Sequence, residues 1–380
     1  MWKKKINYFY IVLNVVKYVM YMVMKKYWII KSIVWGDFVI IYPDALKVGD
    51  KVGVTAMSAG VCDERGRIRI DKAISKFVNK GFEIVETPDL RTNSKFVSAD
   101  ASTRTNEFLS LWNDVRVKYV PIAFGGEFLM ETIPFLNDNK TLIEKCCPKW
   151  VQGFSDVSLL LFYLTTNFNI ATLHSYSFSA FSMNEWHKSI SAPFDFVTNP
   201  TSFEQVSFKL FEKERIREAG LECASFNLGG DVVYKELNGA KNVNMSGRLI
   251  GGCMDVIKLL LGTPFDATKK FCSQFSEGMI WYLENCEMSI ADVKRTLWQM
   301  SKAGWFDNAN GFLIGRTASC EDMEDFAYQD ALLDTIGKLG VPVVYDVDIG
   351  HVAPQWTIVN GSFGSFSFED GKGKLFQELK

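Results

Sequence analysis

Between residues 45 and 180, short apolar runs alternate with amphipathic stretches, and each run stops at a turn of small residues. Lys51 to Ala56, "FEIVETP", "VKYVPIAFGG", "KWVQG" and "IATLHSYSF" read as strands. Asp71 to Lys80, closed by Gly81, reads as a helix. So do Ser102 to Asn113, with Ser102 or Thr103 as cap, the short segment Leu129 to Leu136, and the segment after Asp156. Strands that alternate with helices pair in parallel, so the expectation is a doubly wound α/β sheet. Ligands gather at the carboxyl ends of such strands. Three turns fall there: Met57-Ser58-Ala59-Gly60, Gly125-Gly126-Glu127 and Gly153-Phe154-Ser155-Asp156. Ser58, Ser155 and Asp156 are therefore candidate cleft residues, with helix capping the competing role for Ser155 or Asp156.

At 380 residues the chain exceeds one ordinary core, so two domains are expected. Residues 186 to 210 lose periodicity and hold two prolines, which places a linker there. The expected division is a leader over 1–41, an N-terminal α/β domain over 42–185, and a second domain over 211–380. The second unit reads as "MSGRLIGGC" (strand) with a helix behind it, then "MIWYLE" (strand), Ile290 to Gly304 (helix), "NGFLIGR" (strand) and Glu324 to Gly340 (helix). It ends with "VPVVYDVD", a loop holding His351, and a hairpin-like close.

The leader is apolar and basic. Residues 1–36 carry seven lysines and no acid, so a net charge of −2 leaves the rest at −9. An acidic body argues against nucleic acid as partner and suits a small-molecule or peptide substrate. Lys17 and Lys25-Lys26 interrupt the apolar run, which disfavours a spanning helix. An extension outside the folded domain, an interfacial anchor and a true anchor are the three readings. The eight cysteines show no CxxC pair and no zinc spacing with the three histidines. Reduced thiols, a cytoplasmic setting and no metal follow as expectations. Neither a GxGxxG nor a Walker loop is present, and no cofactor is expected.

Glu284 ends the strand "MIWYLE", and His351 follows Gly350 in a loop after another strand. A carboxylate at a buried strand end needs a partner. Glu fixing the tautomer of an imidazole builds a general base. In "PIAFGGEFLMETIPFL" the Gly125-Gly126 pair allows a sharp strand-to-helix elbow with N–H groups turned outward.

Taken together these segments resemble the LD-carboxypeptidase family, which includes the microcin-C self-immunity peptidases. The resemblance runs from about Tyr42 to near the C-terminus. It rests on "VGVTAMSAG", "AFGGEFLMETIPFL", "PKWVQGFSDVSLL", "TLHSYSF", "GRLIGGCMDVIKLLLGTPF", "IWYLENCE" and "DIGHVAPQWTIVNG", in that order. It implies a Rossmann-like doubly wound N-terminal domain, a smaller swivelling β/β/α C-terminal domain and a homodimer. It also implies a Ser-His-Glu triad that hydrolyses an amide near a free carboxylate, in a murein tetrapeptide or a peptidyl nucleotide. Glu284 and His351 match the triad, and Gly125, Gly126 and Glu127 match the backbone cradle. The nucleophile position is Leu129, which has no nucleophilic atom. The chain is therefore expected to attack through another group, such as Ser155 or an activated water, or to bind a peptide or muropeptide without cutting it.

Overall fold

The first sheet is built on five parallel strands: β1 (Lys51–Val54), β2 (Glu83–Glu86), β3 (Val117–Pro121), β4 (Trp150–Gly153) and β5 (Thr172–His174). Their spatial order is β5-β4-β3-β1-β2. The chain runs outward from β1 to β2, then returns to lay β3, β4 and β5 on the other side. That reversal, between β1 and β3, is the point where open α/β sheets place their ligands. The computed structural model describes residues 39–61, 63–215, 218–318, 320 and 323–380. The lysine-rich leader lies outside the described residues. Among the described residues no helix is long and apolar enough to cross a membrane.

Helices flank this sheet, and their caps explain where they begin. Helix α1 (Glu64–Asn79) starts at Glu64 rather than Asp71, because the Asp63 carboxylate accepts the Gly66 N–H at 2.7 Å. Helix α2 (Ala101–Asn113) is capped by Asp100, which accepts the Thr103 N–H at 3.0 Å, rather than by Ser102 or Thr103. Leu129 to Leu136 splits into a 3-10 turn, Leu129–Thr132, and a helix, Ile133–Asp138, with Pro134 near its start. Helix α3 (Ser158–Phe168) is buried at every position from Ser158 to Thr166. A helix apolar on all sides must be covered on all sides. Its Phe162 stacks on Trp305, and Trp305 on Trp281, at ring distances of 5.2 and 5.9 Å.

Residues 186–210 carry regular structure: helix α4 (Lys188–Thr198), which contains Pro193, and strand β6 (Phe203–Val206). After a small antiparallel pair, β7 (Leu210–Glu212) and β8 (Leu228–Asp231), the chain enters the second sheet. Its strands are β6, β9 (Lys235–Glu236), β10 (Asn242–Cys253), β11 (Met279–Glu284), β12 (Ala309–Gly315), β13 (Val343–Val347), β15 (Phe363–Glu369) and β16 (Lys372–Glu378). The order is β6-β16-β15-β10-β11-β12-β13-β9, with β10 to β13 parallel and the flanks antiparallel. Between β11 and β12 lies helix α5 (Ile290–Lys302); Glu324 to Gly340 is a shorter helix, Tyr328–Asp334, and a 3-10 turn, Ile336–Leu339. Strand β14 (Ile358–Asn360) leaves the second sheet and pairs antiparallel with β5 of the first. Residues 40–380 form one unit, and one apolar core runs from β1 through α3 to Trp281 and Trp305.

The close approach of β10 to β11 depends on Gly251. Its φ is +155°, and a Cβ there would lie 1.7 Å from the Tyr282 carbonyl oxygen. Gly251→Ala is expected to cost more than about 4 kcal/mol, because the obstacle is backbone. Gly229→Ala, where a Cβ meets nothing within 4 Å, should behave as wild type. Urea unfolding of the two variants side by side checks this; equal midpoints would contradict the packing described.

Candidate active site

The three turns at the ends of β1, β3 and β4 meet on one buried carboxylate. Asp156 accepts a short hydrogen bond from Ser58 Oγ on its Oδ2, and the same oxygen accepts the Leu129 N–H at 2.9 Å. Burial pushes the Asp156 carboxyl up, against the pull of Ser58, the Leu129 N–H and Arg104. Arg104, fully buried, donates from Nη1 to the Met57 carbonyl at 2.8 Å and the Phe128 carbonyl at 3.1 Å. Its Nη2 donates to Glu131 Oε2 at 2.7 Å. Ser58 and Asp156, expected to line the cleft, thus lie beneath its floor. Ser58 Oγ and Asp156 Oδ2 are bonded to each other, and the same Oδ2 takes the Leu129 N–H.

The elbow itself is tight. Gly126 has φ +155°, and a Cβ there would stand 2.3 Å from Ser58 Oγ. The N–H groups of Gly126, Glu127 and Phe128 have no acceptor among the described residues. Glu127 is exposed, and its carboxyl is pushed up by burial first, then by Glu287, Asp156 and Asp255. Leu129 is fully buried in the core, with its N–H spent on Asp156. Across the gap, Ser155 holds a left-handed backbone at φ +59°.

Glu284 closes β11, a strand buried at all six positions. It fits because glycines face it: a Cβ on Gly350 would lie 2.6 Å from Glu284 Oε2, and one on Gly315 2.8 Å from Glu284 Cβ. His351 Nδ1 lies 2.9 Å from Glu284 Oε2. The imidazole packs against the Phe154 ring at 4.9 Å. Burial opposes charge on His351, yet Glu284 and Cys286 outweigh it and hold the ring's pKa well above the ordinary range. Behind Glu284, His174 is fully buried and kept neutral, its pKa lowered to about 4 by burial, with Glu284 pulling up and His351 down. The loop bearing His351 is rooted at Asp348, which accepts the Phe208 N–H at 2.8 Å and the Tyr234 hydroxyl at 2.5 Å. Gln355 in that loop donates its N–H to Tyr176 OH at 3.0 Å.

These parts border one cavity of about 540 Å³, lined by Gly125, Gly126, Phe154, Ser155, Tyr176, His351 and three arginines, Arg65, Arg69 and Arg215. Asp63, Glu212 and Glu222 line the same cavity, so arginines and carboxylates share its walls. Arg69 lies over the Phe124 ring, and its pKa falls to about 10 through burial first, then Arg215 and Arg65. Cys253, Glu284 and His351 converge to within 4.8 Å and are the one group among the described residues with a donor set for a metal ion. Burial, with Glu284 and Asp255, holds the Cys253 thiol protonated.

Of the residues singled out in the sequence, Gly125, Gly126, Ser155 and His351 border the cavity, and Glu284 stands behind His351. Glu127 is on the exposed rim of the elbow and Leu129 is sealed. Sequence reasoning missed Arg104, Asp255 and the arginines of the cavity. The last had a signal, since Arg65 and Arg69 stand four apart on one helix face.

The LD-carboxypeptidase N-terminal domain family matches residues 52–175, and the LD-carboxypeptidase C-terminal domain family matches residues 246–365. A Streptomyces coelicolor protein named "Putative carboxypeptidase" is 26% identical over 85% of this chain and 92% of its own. A Bacillus subtilis protein named "Probable murein peptide carboxypeptidase" is 23% identical over 84% of this chain and 89% of its own. The crystal structure of an MccF-like protein from Bacillus anthracis superposes with a TM-score of 0.75 at 19% identity, covering 90% of this chain and all of that one. An MccF-like protein from Streptococcus pneumoniae, solved with AMP, gives 0.71 at 20% identity over 87% of this chain and 99% of that one. With both of its domain types present in order, the chain belongs to the LD-carboxypeptidase family.

Proposed function

We propose that this chain hydrolyses an amide bond next to a free carboxylate, in a substrate of the murein-tetrapeptide or peptidyl-nucleotide kind. The observation that carries the reading is the 2.9 Å contact between His351 Nδ1 and Glu284 Oε2 at the edge of the cavity. Glu284 fixes the ring and favours its protonated form, so His351 can take a proton from an attacking group and return it to the leaving amine. The unpaired N–H groups of Gly126 and Glu127 suit the oxygen of a tetrahedral intermediate. Arg69, Arg65 and Arg215 suit the substrate's carboxylate or phosphate. Relatives with printed names of murein peptide carboxypeptidase, or solved with AMP, are consistent with either substrate.

A second reading is favoured by one observation. Leu129 stands where the family's serine is expected, and it is buried, so the elbow offers no nucleophile. In that reading the chain binds the same ligands and releases them uncut.

Turnover separates the two. Purified protein is incubated with murein tetrapeptide, an aspartyl nucleotide amide and simple acyl amides. Hydrolysis that falls by 100-fold or more in His351→Ala, the order expected for loss of a general base, supports the first reading. Binding by calorimetry with no turnover in either protein supports the second. Arg69→Leu is expected to raise KM for the free acid about tenfold, the loss of one charge-assisted contact, and to leave the carboxamide analogue unchanged. An equal effect on both analogues would remove Arg69 from carboxylate binding. Leu129→Ser should create no new turnover, since the position faces the core, and should cost about 3 kcal/mol as a cavity. A gain of activity in that variant would show that the elbow can turn the side chain outward.

A further inference from the structure

Cys253 and Glu284 are register partners at the carboxyl ends of β10 and β11. Side chains at paired positions of neighbouring strands leave the sheet on the same face, so a thiol and a carboxylate stand side by side there. His351 comes to them from the loop after β13, with Nδ1 2.9 Å from Glu284 Oε2. One donor atom from each of the three residues lies within 4.8 Å of the other two. The cluster has a gap in its own bonding. Glu284 is fully buried, yet its Oε1 has no hydrogen-bond partner among the described residues. A buried carboxylate oxygen left unmatched is costly, and a cation satisfies it well.

The donor types and their spacing narrow the ion. Thiolate, imidazole and carboxylate together suit zinc, whereas calcium and magnesium take oxygen ligands. Around a tetrahedral zinc, nitrogen and oxygen ligands stand about 3.4 Å apart, and sulfur stands about 3.6 Å from either. His351 and Glu284 are already close to that separation, and a side-chain shift of about 1 Å brings in the sulfur. Support is in place behind it. Asp255 Oδ2 lies 3.4 Å from Cys253 Sγ, and Asp255 is held by the N–H groups of Cys286 at 3.0 Å, Glu287 at 2.9 Å and Met288 at 3.2 Å. Such outer partners orient a metal's ligands. A bound dication deprotonates a coordinating thiol outright, so the protonated Cys253 is no obstacle. His351 lines the cavity, which gives the ion a way in.

We propose that Cys253, Glu284 and His351 bind one zinc ion, leaving its fourth position to water. The sequence shows no zinc spacing because the donors come from three separate strand ends. As the ion binds, the protons on the Cys253 thiol and on the ligating ring nitrogen pass to solvent, and no group changes oxidation state. The ion takes Glu284 and His351 out of acid–base work. Under the hydrolase reading above, on which this consequence rests, zinc is an inhibitor that a chelator reverses.

The full chain, stripped with a chelator and dialysed, is titrated with zinc chloride against a chromophoric zinc indicator, and separately with cobalt(II) chloride. One zinc per chain is expected, with a thiolate-to-cobalt charge-transfer band in the near ultraviolet. Cys253→Ser and Cys253→Ala should each remove the band and weaken zinc binding at least tenfold, since even outer partners of a metal cost that much. Cys286→Ala should keep both. A wild type that binds no zinc overturns the proposal, and so does a band that survives in Cys253→Ser or is lost in Cys286→Ala. The zinc-edge X-ray absorption spectrum of the wild type needs no variant to fold: a sulfur neighbour among nitrogen and oxygen upholds the site, and a shell without sulfur overturns it. Zinc binding of this kind with no amide cleaved in the presence of chelator upholds the site and removes the hydrolase reading. Cleavage that saturating zinc does not lower shows that the ion does not hold Glu284 and His351, and overturns the proposal.

Discussion

The site depends first on the Asp156 carboxylate. One oxygen takes the Ser58 hydroxyl and the Leu129 N–H, so it holds the ends of β1, β3 and β4 at a single point. The arrangement is costly in isolation, since Asp156 is buried and its Oδ1 has no partner. Arg104 offsets part of that cost through its charge and ties two of the same turns by their carbonyls. Without this clasp three separate loops would each choose their own conformation. With it, the elbow N–H groups have a fixed direction, which preorganised stabilisation of an oxyanion requires.

The second sheet contributes the base by a different device. Glu284 is packed rather than bonded into place, between Gly315 and Gly350, and one of its oxygens has no hydrogen-bond partner. A charge in that setting gains most by pairing with a cation, which raises the basicity of His351. His174 lies close enough to feel the same charge but stays neutral, because it is enclosed entirely. His351 is part-exposed and bonded to the carboxylate, whereas His174 is fully buried and faces Ser158.

Much of this was legible in the sequence. Parallel strands showed as apolar runs, the elbow as a glycine pair, and Glu284 and His351 as polar residues at strand ends. What was hidden is non-local. Ser58 and Asp156 stand 98 positions apart, and no periodicity links them. Helix α4 was obscured by Pro193, which reads as a breaker yet is tolerated where packing covers the helix. The early start of α1 was obscured by arginines that look like a loop until Asp63 is seen as a cap. The sealed position of Leu129 follows from Asp156 taking its N–H, a contact that only the folded chain reveals.

The placement of β14 has a consequence for how such a chain is made. This strand closes the edge of β5, and Asn360 donates to Thr172 across 188 positions. During synthesis the first sheet therefore waits for nearly the whole of the second before its edge is paired. Until then β5 presents open backbone groups, the kind of edge that invites pairing with other chains. The segment that supplies the missing edge follows directly on the loop bearing His351, so completing the sheet and seating the base are one event. A nascent chain stopped short of residue 351 would lack both, and would be sticky and inert together.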